Sequence, residues 1–139
     1  MENKEFIKEL LKIAYAAIVC DGDIDDLELE VIRTIEKQDF YFQEEDLSKE
    51  IDRLSKDAAD NYVEFAYNAV KETYKLELAP SQKMIIINFA IAIVRADGKM
   101  QAKEMSFIKS LILNLQLPNE LVEATNGKWW IIENNSELN

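Results

Sequence analysis

Asp21, Glu28, Asp97 and Glu104 are four carboxylates set at matching places in a pattern that the chain uses twice. The first copy reads Ala-Ile-Val-Cys-Asp21-Gly22-Asp-Ile24-Asp-Asp-Leu-Glu28 and the second Ile-Val-Arg-Ala-Asp97-Gly98-Lys-Met100-Gln-Ala-Lys-Glu104. Aligning residues 14–35 with 90–111 gives six identities, among them the Asp-Gly pair and the Glu seven positions after the Asp. If the two copies face each other about a pseudo-two-fold axis, the four carboxylates converge. Like charges so placed repel unless protonated or neutralised by a cation. Oxygen-only donors select calcium, magnesium or manganese.

Two other chemistries compete for this pattern. Asp-Gly-x-apolar-x-x-x-Glu coincides with the second half of a calcium-binding EF-hand loop, but loop positions one and three fall on Ala17 and Val19, and on Ile93 and Arg95. None of these is a carboxylate, so the EF-hand is rejected. A purely structural reading remains open. In it, Gly22 and Gly98 adopt left-handed backbone angles that end a helix, Ile24 and Met100 plug the corner, and Asp25 with Glu28 forms a capping box. The second copy fits this less well, because Gln101 is a poor cap while Glu104 keeps its register.

Composition narrows the function. With 27 acidic and 16 basic residues the net charge is -11, which argues against nucleic acid and favours cations or basic partners. The absence of histidine removes the commonest general base, the Ser-His-Asp arrangement and imidazole metal sites. Cys20 is the only cysteine and lies beside Asp21, an acidic setting that disfavours a reactive thiolate. No signal peptide is visible, and the apolar stretch 84–94 is short of the roughly 20 residues that span a bilayer. The expectation is a cytoplasmic protein without direct membrane insertion.

The elements that must position the acids are helices. Apolar residues recur at helical spacing over 2–20, 25–38, 44–55, 57–76, 80–96 and 101–115, with a short helix after Pro118. This predicts an all-α, single-domain bundle of about seven helices with two pseudo-symmetric helix-turn-helix halves. Residues 80–96 are apolar almost all round, which places that helix at the centre. The domain is expected over 1–125. The tail, 126–139, carries Trp129-Trp130-Ile131-Ile132 and is expected to dock on the domain, since four large apolar residues in a row would otherwise invite aggregation.

The duplicated motif, each copy in a helix-turn-helix context, resembles the TerB-like family. That family is named for a bacterial tellurite-resistance protein and is also found as a domain of a membrane-anchored J-domain co-chaperone. The resemblance covers most of the chain and implies an all-helical bundle of two similar halves, metal-binding acidic residues and association with stress or tellurite resistance. Carried over residue by residue, it marks Asp21, Glu28, Asp97 and Glu104. Lys99 and Lys103 depart from a symmetric acidic site and could neutralise the carboxylates in place of a metal. Tellurite itself is an oxyanion that this acidic chain would repel. The leading expectation is therefore a non-enzymatic, divalent-cation-binding scaffold with a protein partner. The alternatives are a metal-dependent hydrolase using paired carboxylates, or a structural protein that forms a homodimer through its aromatic segments.

Overall fold

The C-terminal half of the first helix has no solvent face. In the computed structural model, which describes residues 3–22, 30, 47–96 and 101–117, every residue from Ile13 to Val19 is buried. This helix, α1 (Asn3–Val19), starts amphipathic, with Lys4, Glu5 and Lys8 exposed and Phe6, Ile7, Leu10 and Leu11 turned inward. It then becomes small and apolar where its neighbours close around it. The other described helices are α2 (Leu47–Ala58), α3 (Tyr62–Glu72), α4 (Pro80–Val94) and α5 (Ala102–Leu115), with a 3-10 turn at Thr73–Lys75. No strand occurs among the described residues.

Helix α1 packs against α2, α3 and α4, while α5 closes on α3 and α4. The first helices of the two sequence repeats, α1 and α4, are therefore direct neighbours. Their shared core includes Ile18, Ile86, Ile87 and Ile93, all essentially inaccessible. The pattern assigned the centre to α4, yet α4 exposes Ser81 and Ala92 and half-buries Met84, Ile85 and Phe89. α1 is the more enclosed of the two. An edge-to-face contact of Tyr15 with Phe65, ring centroids 5.9 Å apart, fixes α1 on α3.

The helix boundaries have local causes. The expected break between the 44–55 and 57–76 helices falls a few residues later: Asp57 and Ala58 end α2, and Asn61 opens α3, its Oδ1 accepting the Glu64 N–H at 3.0 Å. Asparagine favours this capping position because its side chain replaces a missing helical acceptor. The same helix stops at Glu72, with Thr73 Oγ1 donating to the Val70 carbonyl at 2.6 Å in the 3-10 turn. Tyr74 consequently leaves the apolar stripe and stands exposed. Pro80 takes the first turn of α4, as expected, and Gln82 Oε1 accepts the Ala79 N–H at 2.9 Å.

Helix α5 ends on Gln116 at φ 57°, ψ 43°, with the Leu117 N–H donating to the Ile112 carbonyl at 3.3 Å. This is the 6→1 closure of a Schellman ending with glutamine where glycine is usual, and it buries Leu117. The expected helices over 25–38 and after Pro118, the 39–42 aromatic loop, and the tail lie outside the described residues. No described helix is long and apolar enough to cross a membrane.

Ile18→Ala is expected to lower stability by about 2–5 kcal/mol, because it removes buried methyl groups from a site enclosed on all sides. Leu113→Ser, at a side chain 78% exposed, should stay within about 0.5 kcal/mol of the parent. Urea unfolding of both variants checks the contrast.

Candidate functional site

Asp21 leaves the end of α1 at a turn closed by the Gly22 N–H donating to the Val19 carbonyl at 2.9 Å. Gly22 sits at φ +94°, where a side chain is strained, so the expected left-handed glycine is present. A Cβ added there would meet only Val63 Cγ2, at 3.8 Å. The glycine thus serves the backbone angle rather than a close approach. Asp21 itself is half-buried. Cys20, just before it, donates from Sγ to the Ala17 carbonyl at 3.3 Å, in keeping with a packing role.

The second copy presents Glu104 in the first turn of α5. The residue is 3% exposed, and Oε1 accepts the Gln101 N–H at 2.9 Å. This is the reach-back half of a capping box. It supplies the reason that sequence reasoning lacked for Glu104 keeping its register after a poor cap. The helix N-terminus also favours negative charge at this place.

Cys20 and Lys103 line one cavity of about 400 Å³ between α3 and α5. Asp21 and Glu104 follow these two residues in sequence, but neither lines the cavity. Lys103, named above as a competing positive charge, is exposed in the lining. Glu28, Asp97, Gly98 and Lys99 lie outside the described residues, as do Ile24, Asp25 and Met100. Among the described residues no three His, Cys, Asp or Glu side chains gather as a metal centre. Oxygen donors alone would fit calcium, magnesium or manganese, but the first turn of α5 sets Lys103 beside Glu104 at a positive helix N-terminus.

Sequence reasoning missed a second cleft, of about 320 Å³, lined by Asp57, Asp60, Glu64, Glu72 and Lys12. Its acids come from both sides of the α2–α3 junction, which the pattern had placed a few residues earlier. Much of its charge is internally matched: Lys12 pairs with Glu72, and Arg53 with Asp57 at 3.1 Å. Nearby, burial pushes the Glu9 carboxyl above its usual value, opposed by Lys12 and Arg53 and reinforced by Glu72. On α2, the hydrogen bond from Arg53 holds Glu50 below its usual value.

Comparison with known proteins then identifies the class. The sequence matches the family model described as Tellurite resistance protein TerB over residues 9–126. The chain belongs to this family. No curated protein and no solved structure matches it.

Two measurements follow. Glu104→Gln, which keeps an acceptor for the Gln101 amide, should be the milder change, and Glu104→Ala should cost about 1 kcal/mol or more through loss of the cap and a cavity; thermal melts of both variants decide. The pH dependence of melting should separate Glu9 from Glu50. The raised Glu9 is a penalty at neutral pH, so Glu9→Gln raises the melting temperature there, and the gain disappears below pH 4.5, where Glu9 is protonated in both folded and unfolded chains. The lowered Glu50 is stabilising above 4.5, so Glu50→Gln lowers the melting temperature at neutral pH, and the loss fades as acid protonates Glu50 in the folded protein.

Proposed function

We propose that this TerB-family chain is a non-enzymatic, divalent-cation-responsive scaffold that binds a protein partner in a cytoplasmic response of the stress or tellurite-resistance type. The observation that carries the reading is the family match over 9–126 together with the duplicated acidic turn. In it, Asp21, Glu28, Asp97 and Glu104 form one oxygen-donor cluster between two pseudo-symmetric halves. Calcium, magnesium or manganese, when bound, supplies the positive charge that four carboxylates need.

The chain's own residues would do the rest. Gly22 sets the direction in which Asp21 leaves α1, and the Gln101 amide holds the Glu104 carboxylate in one orientation. A cation that binds one relative placement of the turns better than another shifts the population toward it, and so alters the surface offered to the partner. The net charge of -11 favours a basic partner surface and disfavours nucleic acid and tellurite as direct ligands. The lack of histidine, and of a nucleophile-elbow or phosphate-loop motif in the sequence, favours scaffold over hydrolase.

Calorimetry and melting of metal-stripped protein with each cation, beside an Asp21→Asn/Asp97→Asn double variant, test the reading. Saturable binding with about 2.7 kcal/mol of stabilisation at a hundredfold excess over Kd, lost in the variant, is expected. No saturable response, or an equal one in the variant, would contradict it and leave the turns architectural.

A further inference from the structure

The α3–α5 cavity has a character opposite to that of the chain. Its apolar wall is Val63, Tyr67 and Val70 from α3 and Phe107 from α5. Val63 is 50% and Tyr67 65% exposed, so this wall faces outward. Among the described residues, its charged lining groups are Lys71 and Lys103, with no carboxylate. A groove that is apolar with a positive rim, on a protein of net charge -11, fits an apolar segment that carries acidic residues.

The chain itself has such a segment. Trp129-Trp130-Ile131-Ile132 is followed directly by Glu133, and residues 118–139 hold four glutamates and a single lysine. These residues lie outside those described. The last described residues adjoin the groove: Asn114 lines the cavity, and Leu117 is buried just past the end of α5. From there, the chain to Trp129 can extend about 40 Å at 3.3–3.6 Å per residue. The length of α5 alongside the groove is only about 21 Å at 1.5 Å per residue. The reach is therefore ample. Covalent linkage also gives the segment an effective concentration in the millimolar range, ahead of a free partner.

We propose that the α3–α5 groove is the intramolecular seat of the Trp129–Ile132 segment, with Glu133 set toward Lys71 and Lys103. Two tryptophans cover the exposed Val63 and Tyr67, where offset or edge-to-face ring contacts and cation–π contacts with the lysines are available. The seat is independent of cation binding at the acidic turns.

Because the chain has only two tryptophans, both in this segment, intrinsic fluorescence reports on it alone. Acrylamide quenching of the full chain is compared with that of a Tyr67→Glu/Ser110→Glu variant, both positions being exposed, and with that of the isolated 126–139 peptide. The proposal expects shielded, blue-shifted tryptophan emission in the parent at every protein concentration, and loss of the shielding to the peptide's level in the variant. Leu113→Glu, which is off the groove, should leave the shielding intact. Peptide-like quenching in the parent, shielding indifferent to the groove variant, or shielding lost on dilution, which would place the segment on a second copy, each overturn it. Should the groove variant fail to fold, nuclear Overhauser contacts between the indole N–H groups and Tyr67 or Val63 in the parent decide: their presence supports the seat, and their absence overturns it.

Discussion

Enclosure of the second half of α1 is the constraint on which the bundle depends. From Ile13 to Val19 the helix touches protein on all sides, and α2, α3 and α4 each take their position from it. Small residues there, Ala14, Ala16 and Ala17, let the neighbouring helices approach, while Ile13 and Ile18 fill the remaining space. Protein interiors are close-packed, so a change in volume on this helix is felt by three partners at once. The enclosure also ends sharply. Gly22 turns the chain soon after the last buried residues of α1, with Asp21 half-buried just before it.

Electrostatics divides the surface between two kinds of cleft. The α2–α3 junction gathers Asp57, Asp60, Glu64 and Glu72, tempered by Lys12 and Arg53. The α3–α5 groove instead carries lysines on an apolar wall. α3 faces both clefts: its Glu64 and Glu72 look one way, and its Tyr67 and Lys71 the other. One helix thus separates an acidic face from a basic, apolar one. Surface ion pairs such as those of Arg53 add only a few tenths of a kcal/mol each, so they shape local charge more than they hold the fold.

Helical periodicity made the described helices legible because each buries a stripe large enough to dominate its spacing. α1, α4 and α5 lie close to their expected bounds, and Pro80 marked the start of α4. Periodicity failed where a cap overrode it: Asn61 set the start of α3 later than the spacing did, and the 3-10 turn at Thr73 carried Tyr74 out of the stripe. Val63 and Tyr67 follow a helical period, yet face outward, since spacing alone does not say which side of a helix meets the core. At the acidic turns the repeat paired Asp21 with Asp97 and Glu28 with Glu104. It could not show that Glu104 is buried and bonded to the Gln101 amide, because that depends on how α5 seats.

The central claim is that two distant turns act as a single cation site. It is tested most directly by following the backbone amide signals of Gly22 and Gly98 in a calcium titration of the metal-stripped chain, observed by nuclear magnetic resonance. The account predicts that both signals move together on one saturation curve with a common midpoint. Movement of one glycine alone, separate midpoints, or no movement of either would contradict it.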